Sequence, residues 1–264
     1  MSDKIRDLYY LLKKYTQKMD SSGFSGKSLN LPDFDLYPDD YLSFAKDDLQ
    51  EWDGQKEELQ KTKALIRCVS NLKRALDAQI ECFLEVYGLS EPIKRKHLSI
   101  RKKLEFIADI GIFSSKTIDR FLRIRNKVEH DFKKPIIKDI EALYDSVTAN
   151  VSLLKVSMIL RSSISTDWEI RDPEGAEIGS FAADYQEAPL SITFSSTLSP
   201  LAGKEVIQDL EEETHLSSHF DDRKPFAYYM RCILALQNLE TFGSWDAFLK
   251  KITPIEEIKD NLND

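Results

Sequence analysis

The sequence predicts a mainly α protein, a four-to-five-helix bundle followed by a smaller α+β unit. Three observations predict it. Apolar residues recur at steps of three and four through most of the stretch from Trp52 to Arg161. Gly88, Gly111 and Pro135 punctuate that stretch where helices would end or restart. After Ser162 the pattern changes to short runs separated by turn residues. These changes divide the chain into an N-terminal helix with an irregular extension (1–50), a helical bundle (51–162) and a C-terminal α+β unit (163–264).

Each element has its own signal. Ile5, Leu8, Leu11, Leu12 and Tyr15 predict a first helix within residues 1–19. Asp20 to Gly26 reads as a loop, and Pro32, Asp33, Pro38, Asp39 and Asp40 continue as irregular acidic chain. Leu59, Leu65, Val69, Leu72, Leu76, Ile80, Phe83 and Tyr87 mark a long helix, or two helices with a break, that Gly88 ends. Pro92 fits the start of the next helix, whose stripe is Ile100, Leu104 and Ile107 before Gly111. A third helix runs from about Lys116 to His130, capped by Ser114 or Ser115. A fourth runs from about Ile136 to Arg161 on Ile140, Leu143, Tyr144, Val147, Val151, Leu154 and Met158. Four antiparallel helices with short loops make a bundle. Beyond it, Trp168–Arg171 and Ala176–Phe181 flank a turn at 172–175 as a hairpin, and Ser191–Phe194 reads as a third strand. Helices resume near Lys204 and from Pro225 to Glu240, and Trp245, Phe248 and Leu249 extend that apolar surface.

Composition excludes several classes of function. No apolar stretch is long enough to span a bilayer, and the first thirty residues lack a signal-peptide pattern, so a cytoplasmic protein is expected. Cys68, Cys82 and Cys232 are odd in number and contain no Cys-x-x-Cys, which argues against a zinc ribbon or a disulfide scaffold and for buried thiols. There is no phosphate-binding glycine loop, nucleophile elbow or His-Glu-x-x-His, so neither cofactor nor metal is expected. The net charge is −8, yet Glu91 to Lys138 holds fourteen Lys/Arg against six Asp/Glu. A basic segment inside an acidic chain suits a polyanionic partner such as RNA, or a solvated face paired to acidic neighbours. Lys94, Arg95, Lys96, Arg101 and Lys127 are its candidate phosphate contacts.

The chemistry concentrates in Arg125-Asn126-Lys127-Val128-Glu129-His130, at the end of the third bundle helix. Asn126 and His130 are four apart and share a helical face, which Arg125 can reach with its long side chain. Histidine moves protons near neutral pH. Arginine grips a phosphate through two parallel hydrogen bonds and offsets developing negative charge. Asparagine can orient a ring or a scissile group. These parts are enough to cleave RNA without metal, because the ribose 2′-hydroxyl supplies the nucleophile. The same residues could serve structure alone: Arg125 and Glu129 as a surface pair, His130 as a cation at a helix C-terminus.

Arg-Asn-x3-His late in the third helix of a bundle resembles the HEPN superfamily. Asn71 to Asp77 on the long helix, Arg123 to Phe132 and the following Pro135 support the resemblance, which covers about residues 55–162. It implies a HEPN-like bundle that forms a homodimer, two motifs sharing one composite cleft, and a metal-independent endoribonuclease. It further implies a toxin or antiphage defence role, with an antitoxin or another defence-system partner. On this reading Arg125 and His130 are catalytic and Asn126 supports them. Asp77 and Glu81, one turn apart on the long helix, are the candidates for the acidic residue that often completes such sites. The resemblance equally allows a non-catalytic binding or dimerisation module, or a regulator that senses RNA or a ligand through its C-terminal unit.

Three other groups carry less. His215 and His219 are four apart, as in a helical metal pair, but no third ligand stands at clear spacing and an acidic solvated face explains them better. His97 belongs to an exposed basic turn, Lys94–His97. Phe226, Tyr228, Tyr229, Phe242, Trp245 and Phe248 read as core or a dimer contact.

Overall fold

A computed structural model describes residues 3–15, 19–24, 29–113, 115–129, 131, 133–134, 136–160, 166–171, 175–187, 190–198, 213–238 and 243–254. The chain divides into two compact units, residues 29–159 and a second unit built from Met1–Ser28 with Leu160–Asp264. The expected N-terminal extension is therefore shared between them.

The first unit is all helical. It holds α2 (Pro38–Gly54), α3 (Glu58–Val86), α4 (Ser90–Arg95), α5 (Ile100–Asp109), α6 (Ser115–Glu129) and most of α7 (Ile137–Leu160). α2 was expected as irregular chain. It is a helix because Pro38 opens its first turn, where a missing N–H costs nothing, and Asp39 and Asp40 oppose the positive end of the dipole. The Asp40 carboxylate also accepts the Tyr37 N–H at 2.8 Å. Trp52 belongs to α2, so the expected long helix begins only at Glu58, and Leu59 is exposed rather than part of the stripe.

From Leu65 to Phe83 the expected stripe of α3 is buried, and Cys68, Ala75, Gln79 and Cys82 widen it. α7 buries Ile140, Leu143, Val147, Val151, Leu154 and Met158, as expected, while Tyr144 is half-buried. The two helices are tied at one end. The Tyr87 hydroxyl donates to the Ser157 carbonyl at 2.7 Å, and the Gln79 amide donates to the Met158 sulfur at 3.1 Å. α2 and α3 share a polar contact as well: buried Asp48 accepts from Arg67 Nε at 2.7 Å and from Asn71 Nδ2 at 2.9 Å.

Three of these helices end alike. Gly88 and Gly111 adopt φ of 65° and 82° after α3 and α5, so the amides that follow fold back on open carbonyls: Leu89 on Leu84 at 2.7 Å, Ile112 on Ile107 at 3.3 Å. After α4 the same position is taken by His97 at φ 48°, with Leu98 folding back on Ile93 at 3.4 Å. A side chain at positive φ costs about 1–2 kcal/mol that glycine avoids. His97→Gly is expected to stabilise the chain by about 1 kcal/mol, read as a rise in the urea midpoint at constant slope.

The second unit carries α1 (Asp3–Tyr15), β1 (Met19–Phe24), β2 (Thr166–Arg171), β3 (Glu177–Glu187), β4 (Leu190–Leu198), β5 (Glu213–His219), α8 (Arg223–Leu236) and α9 (Trp245–Ile252). The strands form one antiparallel sheet in sequence order, β1-β2-β3-β4-β5, so four C-terminal strands receive a fifth from the N-terminal segment. Ser21 lies opposite Trp168, Trp168 opposite Phe181, Ala183 opposite Phe194, and Phe194 opposite Leu216. Alternation then sorts the faces. Trp168, Ile170, Phe181, Ala183, Tyr185, Ile192 and Phe194 are buried, whereas Asp167, Ser180, Asp184, Thr197, His215 and His219 are exposed. α8 packs on the apolar face, with the rings of Phe194 and Tyr229 5.4 Å apart and those of Tyr185 and Phe226 6.3 Å apart. The expected core aromatics Phe226, Tyr228, Tyr229 and Phe248 are buried. Phe242 and the helix expected near Lys204 lie outside the described residues.

All three cysteines are free and buried. Burial pushes the Cys68 thiol up to about 12, Cys82 to about 11 and Cys232 to about 12, so each stays protonated and packs as a small apolar group. No described helix is long and apolar enough to cross a membrane.

Candidate active site

α6 carries the motif because one side of it is held. Phe121 and Ile124 are buried, and α6 packs against α3 and α5. Arg125, next to Ile124, is consequently half-buried, while Asn126 and Lys127 are exposed. The chain beyond the helix turns back over its end: the Asp131 amide donates to the Asn126 carbonyl at 3.0 Å and the Lys133 amide to the Lys127 carbonyl at 2.9 Å. His130 itself lies outside the described residues.

Arg125 does not stand alone. Its charge acts on Asp77 of α3, as do Lys73 and Lys103. Lys73, Asp77 and Glu81 are successive turns of one face of α3, and α5 brings Lys103 to the same place. Lys103 donates to Glu81 in a partly buried ion pair. Asp77 Oδ1 is buried and has no hydrogen-bond partner. Burial therefore dominates Asp77 and raises its carboxyl above the ordinary range, although Lys73, Arg125 and Lys103 all pull the other way. The two candidate carboxylates have different surroundings: Asp77 lies in the field of Arg125 with an oxygen unused, while Glu81 is engaged by Lys103.

Asp77 also makes a stability prediction. Its folded state holds the proton more tightly than the ordinary 3.8, so this carboxyl favours folding most below that value. The advantage is lost as pH rises through the folded value, leaving a buried charge with an unused acceptor. Asp77→Asn should stabilise the chain at pH 7 by about 1 kcal/mol, with the gain shrinking as pH falls toward 4. Thermal melts of both proteins from pH 3.5 to 7.5 would show it, and a gain independent of pH would contradict it.

The basic segment is partly neutralised where it stands. Lys94 pairs with Glu91 at 3.2 Å, Arg101 with Glu105 at 3.1 Å, and Lys102 with Glu105 at 3.0 Å. Hydrogen bonds from Lys102 and Arg101 hold the Glu105 carboxyl below its usual range. Arg95 and Lys96 are exposed on and beside α4, as is Lys127 on α6. Lys73 and Lys103 were not anticipated, because each reads in sequence as the polar side of an amphipathic helix. Only the meeting of α3 and α5 brings them together.

His215 and His219 lie on a strand, not a helix. With Ser217 between them they share the exposed face of β5, opposite Ser195 and Ser191 of β4. No group of His, Cys, Asp or Glu suited to a metal ion occurs among the described residues. No family model, curated protein or solved structure matches this chain.

Proposed function

We propose that this protein is a metal-independent endoribonuclease of the HEPN type, a homodimer in a toxin or antiphage defence role. The observation that carries the reading is the Arg125-Asn126-x3-His130 pattern on and just beyond α6, with Arg125 in the field of half-buried Asp77 from α3. In this mechanism His130 moves the proton of the attacking 2′-hydroxyl, Arg125 offsets charge on the phosphate, and Asn126 orients the scissile group. Asp77 acts through Arg125 as a positioning residue, because the charges of carboxylate and guanidinium attract one another. Arg95, Lys96 and Lys127 would hold the RNA backbone.

The full chain, wild type against His130→Ala, incubated with total RNA and with tRNA in EDTA, tests this reading. Cleavage by the wild type alone supports it, and equal cleavage by both proteins removes the site. A composite cleft also needs two chains, so a monomer in sedimentation at micromolar concentration counts against that part. The half-burial of Arg125 favours a second reading, in which the bundle is a non-catalytic binding module and Arg125 and Asp77 are structural. RNA binding without cleavage would select it.

A further inference from the structure

Asp77 can attract the Arg125 guanidinium only while its carboxyl is ionised, and its setting opposes ionisation. Burial raises the carboxyl, and the buried Oδ1 has no hydrogen-bond partner to favour the charged form. Its charge state therefore depends on the ions around it, which come from three helices: Lys73 and Glu81 on α3, Arg125 on α6 and Lys103 on α5. Lys73 and Arg125 favour the carboxylate, while Glu81, one turn beyond Asp77, opposes it as a like charge. Lys103 favours it directly and also donates to Glu81.

The Lys103–Glu81 pair stands in a different place from the other ion pairs of the basic segment. Lys94–Glu91, Arg101–Glu105 and Lys102–Glu105 each stay within one helix, whereas Lys103 and Glu81 join α5 to α3 across 22 residues of sequence. These are the two helices against which α6 packs. The Lys103 side chain is 16% exposed and that of Glu81 34%, so water screens their charges less than on the open surface. The two partners act on Asp77 with opposite sign. With Lys103 in place, the Glu81 charge is partly cancelled where Asp77 feels it. Without Lys103, that charge acts unopposed.

We propose that Lys103 and Glu81 are positioning residues of the cleavage site, a role that rests on the ribonuclease reading: together they govern whether Asp77 is charged, and through Asp77 where the Arg125 guanidinium is held. The full chain carries the test. The Asp77 carboxyl, assigned by its loss in Asp77→Asn, is titrated by carbon-13 NMR in the wild type, Lys103→Met, Lys103→Arg and Glu81→Gln. Lys103→Met should displace the titration to higher pH and Glu81→Gln to lower pH, each by about half a unit, and Lys103→Arg should stay near the wild type. A pair that only braced α3 against α5 would not give opposite signs. Glu81→Gln keeps the shape of its side chain, so it guards against a misfolded Lys103→Met. Cleavage of one defined RNA in EDTA gives the second readout. On the acid side kcat/KM should require the loss of two protons, one from His130 and one from Asp77. The Asp77 step should move with the carboxyl, changing the rate on that limb by about threefold at fixed pH. If the wild type cleaves RNA and either the carboxyl or the rate step stays in place, or both variants move the same way, the pair has no such role. If the wild type cleaves no RNA, the ribonuclease reading fails and takes the positioning role with it, whatever the carboxyl does.

Discussion

Under the proposed ribonuclease mechanism, Arg125→Ala should slow RNA cleavage by about 10²–10³-fold and His130→Ala by about 10²–10⁴-fold, with both proteins still folded. The two losses have different origins. Removing His130 removes the proton carrier, so residual cleavage should lose its dependence on pH near neutrality. Removing Arg125 removes charge stabilisation. It also takes one of three cations away from Asp77, so that carboxyl should rise further. Arg125→Lys keeps the charge but not the two-pronged grip on phosphate, and should recover only part of the rate. Measuring kcat/KM on one defined RNA in EDTA across pH 5–9 separates these effects. Equal rates for wild type and Arg125→Ala would end the catalytic assignment of this residue.

The largest stability effect is expected at Phe181. Its ring is fully buried on the third of five strands, 5.5 Å from the ring of Trp168 and 5.7 Å from that of Phe194. Phe181→Ala removes a ring with neighbours on both flanking strands and leaves a cavity that a sheet cannot readily close. A loss of about 3–5 kcal/mol is expected, a large part of the roughly 5–15 kcal/mol that holds a typical protein folded. Urea unfolding followed by tryptophan fluorescence reports it directly, since Trp168 is a neighbour. A loss below about 1 kcal/mol would mean that the site collapses freely. The same variant asks whether residues 29–159 suffice for cleavage, because its damage begins in the other unit.

Much of the helical unit was legible in the sequence, because α3, α6 and α7 announce themselves by apolar periodicity and by the residues that stop them. α2 was missed for a reason of the same kind. Pro38, Asp39 and Asp40 are turn-forming residues and also good helix-starting residues, and only the packing of α2 on α3 decides between them. β1 was missed because Met19-Asp20-Ser21-Ser22-Gly23-Phe24 has little strand propensity of its own. It is extended because β2 offers a ladder, which accommodates an irregularity between Ser21 and Gly23. The histidines of β5 were four apart by accident of strand alternation, not of a helical turn. At the candidate site, sequence pointed to Arg125 and Asp77 separately. Their electrostatic contact depends on how α3 and α6 meet, and no local pattern encodes that.

The pairing of β1 with β2 bears on how the chain is made. Ser21 leaves the ribosome early, but Trp168, its partner, follows only after about 150 further residues, so the contact is among the slowest kind to form. Residues 29–159 are synthesised whole in that interval and can fold while the first strand waits. During synthesis the nascent chain thus presents a finished helical unit and a strand without its neighbours. In such a state premature release or a stalled ribosome would expose a sheet edge, and a chaperone would have the most to protect.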